Sequence, residues 1–337
     1  MNITARRLIG SHCAAAALLA CSILTASPAV ATCGSATCFL VTGTEEGVRT
    51  PGAVRIDLSY SFIDQSRKLA GSHSVGEVLV PKVDFEAGVL VPDHHREIRT
   101  ASTFVRLDLA YGATDRLTLL GTLPLYQDKY HEHYDDVGTP DEHFTSTDGT
   151  RGFGDVQLGA RYLVLVRPKD LLVVGLTVKL PTGDYKLRDG EGAINEPTIQ
   201  PGSGSYDLVV SLSYTHHPFP SELEWFVSGS HRLNAENDLD YRIGDETVLN
   251  AGVSHGGGGK IAWLFQVNSR HTSRDSFRGD NVPSTGTNYV DLTPGLRFTP
   301  SGGASLYAFI QLPIYERVNE AQLAPRSSFV VGVSKTF

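Results

Sequence analysis

A chain of 337 residues is long enough to bury a sizeable core, and its formal net charge of −8 does not suggest a nucleic-acid partner. Mean hydropathy is −0.11. Past the N-terminus no stretch is apolar and long enough for a membrane helix, which excludes a helical membrane protein.

The first residues are a different material. Arg6 and Arg7 precede the apolar run from Ala14 to Leu24, which leads to Ala29-Val30-Ala31. This reads as a secretory signal peptide over residues 1–31. Leu18-Leu19-Ala20-Cys21 resembles a lipoprotein processing box, but the apolar run continues past it to the A-x-A site. Loss of the two arginines takes the formal charge from −8 to −10. Cys13 and Cys21 leave with the signal. Cys33 and Cys38 remain, a close pair expected to form a small disulfide loop in an oxidising compartment. Residues 32–52 are expected to be a periplasmic N-terminal segment, and residues 53–337 a barrel.

From residue 53 a period of two recurs. Val54, Ile56, Leu58, Tyr60 and Phe62 share one side, opposite Arg55, Asp57, Ser59 and Ser61. Val105, Leu107, Leu109 and Tyr111 alternate with Arg106, Asp108 and Ala110. Residues 117–125 carry Leu117, Leu119, Gly121, Leu123 and Leu125 in one series. In 155–164 one face is Val156, Leu158, Ala160, Tyr162 and Val164; the other carries Asp155 and Arg161. Residues 170–180 are apolar on both faces until Lys179. Leu208, Val210, Leu212 and Tyr214 then alternate with Asp207, Val209, Ser211 and Ser213.

Further segments follow around Leu223–Ser228, Leu249–Ser254, Ile261–Arg270, Val290–Phe298, Leu306–Leu312 and Phe329–Phe337. The pattern gives about twelve strands of roughly ten residues, the length a tilted strand needs to cross a bilayer. Connections alternate between short turns (112–115, 166–170, 215–221, 255–259, 299–303) and long polar ones (roughly 66–98, 126–150, 181–205, 234–245, 271–287, 316–326). Even strand number, short turns at one end and long loops at the other define an outer-membrane barrel. Tyr60, Phe62, Tyr111, Tyr162, Tyr214 and Phe298 fit interfacial girdles. In lipid only a closed barrel satisfies every strand hydrogen bond. The expected fold is therefore all-β: a monomeric, transmembrane, antiparallel up-and-down barrel in a bacterial outer membrane, with both termini periplasmic. Phe337, a terminal aromatic on an alternating strand, resembles the signal read by the barrel assembly machinery.

The phrases GFGDVQLGARYLV (152–164), KLPTGDY (179–185) and QPGSGSYDLVVSLSY (200–214) resemble the outer-membrane family described as MetA-pathway phenol-degradation proteins. The resemblance covers about residues 50–337 and is best in the middle third. It implies a transport barrel. Its glycine-based motifs support architecture more than activity.

The interior face is expected to carry Arg55, Asp57, Arg106, Asp108, Asp155, Arg161, Lys179, Asp207, Glu224, Arg232, Asp291 and Arg297. Such groups set selectivity in channels, or pair and brace the wall. Twelve strands fall between side-chain-filled eight-stranded barrels and open porins, so a narrow pore constricted by an inward-folding loop is expected. The stretch YQDKYHEHYDDVGTPDEHF (126–144) reads as a loop packing His131, His133 and His143 among carboxylates, a candidate metal site that His94 and His95 could join. An enzyme is not expected: His231, on the outward face, has no serine among its probable neighbours. No cofactor is called for. The expected partners are outer-membrane lipid and lipopolysaccharide, the assembly machinery and a small-molecule solute. The expected function is passive uptake of small solutes, aromatic or other organic compounds by analogy. The alternative is a closed barrel whose long loops bind a ligand, metal or partner.

Overall fold

The computed structural model describes residues 50–218, 223–256, 260–300 and 303–337. The signal peptide and the Cys33–Cys38 loop lie outside the described residues.

Twelve strands form the wall: β1 (Val54–Ala70), β2 (Val89–Gly112), β3 (Leu117–Asp135), β4 (Gln157–Val166), β5 (Asp170–Lys179), β6 (Asp207–His216), β7 (Leu223–Leu233), β8 (Glu246–His255), β9 (Ile261–Thr272), β10 (Thr287–Phe298), β11 (Ala304–Val318) and β12 (Ala321–Thr336). Each pairs antiparallel with its sequence neighbours. The sheet closes because β1 pairs with β2 on one side and with β12 on the other, Ile56 lying between Leu109 and Lys335. The backbone of Val54 bonds that of Phe337, so the chain enters and leaves the barrel at the short-turn end.

Side chains alternate as the period of two requires. On β8, Leu249 is 55% exposed while Asn250 is buried; on β6, Leu212 is 51% exposed while Ser213 is buried. The outside is thus an apolar belt. Tyr111, Tyr162, Trp225, Trp263 and Phe298 rim it at the short-turn end. An exposed apolar band flanked by aromatics, with polar groups held inside, is the surface that a lipid bilayer solvates.

The strands are not uniformly about ten residues long. β1, β2, β3, β11 and β12 run for 17, 24, 19, 15 and 16 residues. Much of the intervals 66–98, 126–150 and 316–326 is therefore wall and not loop. The last of them contracts to the turn Asn319–Glu320, where Glu320 takes a φ of 40°. Beyond the belt the outward residues of β3 become Tyr126, Asp128, Tyr130 and Glu132, and their hydroxyl–carboxylate pairs suit water. Above the wall, Val83, Tyr241, Phe277 and Val282 form a small core that ties the long connections into a cap.

Two features fill the interior. Near the short-turn end Phe226, Leu264, Phe309 and Val330 pack together, with Tyr307 against them. Gly295 and Gly252 make room for this cluster. A β-carbon on Gly295 would come within 1.8 Å of the Phe309 ring, and one on Gly252 within 2.6 Å of the Phe226 ring. Toward the long-connection end, the connection 181–206 dips inward through residues 195–205, while Lys186, Arg188 and Glu191 stay exposed. The inward part includes the single turn Pro197–Ile199, the only helical element among the described residues.

Candidate functional site

The inward segment is held by directed bonds. The Gln200 amide spans it, accepting from Leu187 N at 3.1 Å and donating to Leu187 O at 2.8 Å and Asn195 O at 3.1 Å. The wall grips it from outside. Lys129 on β3 donates to Thr198 O at 2.5 Å, and the Thr150 hydroxyl donates to Ile199 O. At the root of the segment Asp155 accepts from Gly183 N and Ser203 N, each at 2.9 Å. This places the LPTGD stretch: its glycine amide docks on the wall carboxylate.

Cavities lie on both sides of this segment. A recess of about 380 Å³ among Ala70, Glu77, Pro92, Asp93 and Glu320 opens at the rim. It shares Pro81, Pro283 and Ser284 with a chamber of about 120 Å³. That chamber is walled by Ile63, Val83, Phe104, Ile199 and Leu323, with Thr100, Ser102, Lys129 and His131 among its polar groups. Phe104 and Pro197 separate it from a smaller cavity of about 70 Å³, which reaches Arg106, Asp155, Lys179, Asp207 and Arg232.

The charged residues named from sequence occupy the inner register, buried or half-buried. Arg55 pairs with Asp57 at 3.2 Å, and the Tyr307 hydroxyl donates to Asp57 at 2.6 Å. Arg106 pairs with Asp108 at 2.7 Å. Lys179 lies between Asp155 at 2.9 Å and Asp207 at 2.7 Å. Gln311 donates to Asp291 at 2.9 Å, and Glu224 meets His217. Arg161, Arg232 and Arg297 lie among these groups on β4, β7 and β10. Most of these charges brace the wall in pairs. A pair not foreseen joins Arg270 on β9 to Glu246 on β8 at 2.6 Å.

The histidines behave differently from the loop reading. His131 and His133 lie on β3 and point inward, because the β3 strand continues to Asp135. His143 stands apart, exposed on a short strand, with Glu191 at 4.0 Å. The structure therefore does not bring His131, His133 and His143 together. In place of that set, four rings form a row. Centroids are 4.8 Å apart for His94–His95, 4.6 Å for His95–His133 and 4.6 Å for His133–His131. Carboxylates surround the row: Asp135, one of the acids of the 126–144 stretch read from sequence, and Glu97, Asp148 and Glu196, which the sequence reading did not single out. A signal was present. Gln127, Lys129, His131, His133 and Asp135 continue the inner register of β3 while Tyr126, Asp128, Tyr130, Glu132 and Tyr134 continue the outer one.

The row lies beyond the apolar belt, and its charges are strongly coupled. His95 reaches Asp135 with Nε2 at 3.0 Å and Glu196 with Nδ1 at 2.7 Å. Burial opposes its charge, but these two carboxylates push its pKa up to about 10. Burial works against the charged form of Asp135 too. Hydrogen bonds with His94 and His95 nevertheless hold that carboxyl well below the usual range. Glu196 is likewise disfavoured by burial but is brought down to about 2 by His95. His133 is pushed down to about 4 by burial and by the neighbouring His131 and His95.

A closed antiparallel barrel with an apolar outer belt and a polar, partly filled interior defines a β-barrel protein of the bacterial outer membrane. The chain belongs to the family described as "Putative MetA-pathway of phenol degradation", which matches residues 74–317. Among solved structures it is similar to the COG4313 outer membrane channel from Pseudomonas putida F1, with a TM-score of 0.60, 13% identity, and coverage of 88% of this chain and 100% of that one. Weaker similarities include a TodX monoaromatic hydrocarbon channel mutant (TM-score 0.44, 13% identity, 85% and 91% coverage) and the CymD monoaromatic hydrocarbon channel (0.42, 11%, 86% and 88%). No curated protein matches the sequence.

Proposed function

We propose that this protein is a channel for passive entry of small, largely apolar solutes across the outer membrane, and not an enzyme. The observation that carries the reading is the series of cavities, from the rim recess through the 120 Å³ chamber to the inner cavity beside Lys179. A dry cavity of about 150 Å³ lined by aliphatic and aromatic side chains accommodates a benzene-sized guest. The chamber is of that order, and its hydroxyls on Thr100 and Ser102 would suit a polar substituent on a ring. The family description names phenol degradation, and the Pseudomonas putida relative is a channel. On this reading the path runs between the two cavities past Phe104 and Pro197, toward the short-turn end, which is the periplasmic side. Assembly proceeds through the outer-membrane machinery, with Phe337 as its signal, into a lipopolysaccharide-bearing membrane.

The test is single-channel recording of the purified protein in planar bilayers, with solute influx into liposomes alongside. Discrete openings, and influx that falls with solute cross-section, are expected. A folded, heat-modifiable barrel that neither conducts nor admits solute would refute the channel and favour a closed, ligand-binding barrel.

A further inference from the structure

The chamber has a chemical feature that transport of an apolar solute does not require. Glu97 on β2 is 5% exposed, and its Oε1 has no hydrogen-bond partner. Its Oε2 is 3.6 Å from Nε2 of His131, a ring 2% exposed whose Nε2 also lacks a hydrogen bond. The Glu196 carboxylate faces the same point from the inward segment. Ligand atoms of His95, Glu97 and Glu196 lie within 4.8 Å of one another. Two carboxylates converging on one buried point, one from the wall and one from the inward segment, repel, and each charge is costly there unless a cation sits between them. His95 supplies positive charge to Glu196 by direct contact, whereas Glu97 Oε1 is left open toward the chamber.

We propose that His95, Glu97 and Glu196 bind a divalent transition-metal ion of the zinc class at the head of the chamber, with His131 beside it. The donor set is one imidazole nitrogen and two carboxylates, and imidazole favours zinc, copper or nickel over magnesium and calcium. Tetrahedral coordination at roughly 2.0–2.1 Å places ligand atoms about 3.3 Å apart, so the cluster closes on an ion by side-chain rotation alone. A partner that would orient the metal-bound ring is already in place. Nδ1 of His95 faces Glu196 while Nε2 faces Asp135 at 3.0 Å. When an ion replaces the proton on Nδ1, Nε2–H still donates to Asp135, the arrangement that orients a metal-bound histidine. The remaining coordination position falls to His131 or to whatever occupies the chamber. His95 and Glu97 belong to the wall, and Glu196 immediately precedes the inward turn Pro197–Ile199. A bound ion therefore clamps the inward segment to the wall; this consequence alone rests on the channel reading.

The test is titration of the chelator-stripped protein with Zn2+ against a chromophoric chelator, with heat-modifiability as the check on folding. One ion per chain is expected. Glu97→Gln and Glu196→Gln should each weaken binding by 100-fold or more. Asp135→Asn, which touches the ion only through His95, should weaken it roughly 10- to 100-fold. His143→Ala should leave it unchanged. Absence of stoichiometric binding overturns the site. So does binding that survives Glu97→Gln and Glu196→Gln in folded protein, or that is lost in His143→Ala. In bilayers, Zn2+ should lower the open probability of the native protein and not of Glu196→Gln. Stoichiometric Zn2+ binding to a protein that never conducts would refute the channel and keep the metal site. Binding without an effect on conductance would remove the clamp.

Discussion

Replacing Gln200 by alanine should unlatch the inward segment without disturbing the wall. The Gln200 side chain is 3% exposed and makes three hydrogen bonds, all to backbone groups of the segment itself. Its loss strands the Leu187 N–H and the Asn195 C=O; the Leu187 C=O keeps the Asn195 N–H at 2.9 Å. At about 1–2 kcal/mol for each of the two stranded groups, the closed arrangement loses about 2–4 kcal/mol. At about 1.4 kcal/mol per factor of ten, the population with the segment displaced rises roughly 30- to 1000-fold. The wall anchors at Lys129 and Thr150 act on other atoms of the segment and remain. Barrel folding should therefore persist, and the heat-modifiability midpoint should move little. Single-channel recording should show longer or larger openings than the native protein, and liposome influx should accept bulkier solutes. A folded Gln200→Ala barrel with native opening statistics and the native size limit would refute the segment as the constriction.

Three further outcomes follow from the interior. Lys179→Met leaves Asp155 and Asp207 buried without their cation, which should cost about 3–5 kcal/mol; adding Asp155→Asn and Asp207→Asn should restore most of the unfolding midpoint, and no recovery would mean that Lys179 acts through packing. Gly295→Ala drives a methyl into the Phe309 ring and should destabilise by about 1–3 kcal/mol. In the Phe309→Ala background the same change should cost much less, as a double-mutant cycle would read out. Zn2+ affinity should weaken about tenfold per pH unit as pH falls below neutrality. His95 holds its proton up to about 10 between Asp135 and Glu196, and ligation must displace that proton. A flat affinity between about pH 6 and 8 would remove His95 from the ligand set.

The twelve wall strands were legible because lipid outside and polar groups inside force a contrast at every second residue. Leu158 against Gln157 and Leu249 against Asn250 carry it plainly. Strand lengths were not legible, because the contrast disappears where the outer face meets water. Tyr126, Asp128, Tyr130 and Glu132 face outward on β3 opposite equally polar inward residues, so the period of two survives without an apolar side to mark it. That is why His131 and His133 read as loop residues, why His95 reads only as a loop residue able to join them, and why Glu97, on the equivalent stretch of β2, escaped notice. The inner apolar cluster hid for the opposite reason. Phe226 stands between Trp225 and Val227, and Val330 between Phe329 and Val331, so these strands look greasy on both faces. An inward phenylalanine cannot be told from a lipid-facing one until Gly252 and Gly295 are seen to lie across the sheet from it.

The two fillings of the interior differ in what can undo them. At the periplasmic level Phe226, Leu264, Phe309 and Val330 exclude water by close packing, and no single proton or ion reverses that. At the outer level the segment around Pro197–Ile199 hangs on a lysine, a threonine hydroxyl, one glutamine amide and the His95–Glu196 contact. Each such bond contributes a net of only about 0.5–1.5 kcal/mol, somewhat more where a charge is involved. Each can also be exchanged for water, a proton or a metal ion. A barrier made of exchangeable polar bonds, facing the medium from which solutes arrive, can respond to that medium. The packed cluster below cannot respond in this way. On the channel reading, control of passage therefore belongs to the segment and not to the cluster.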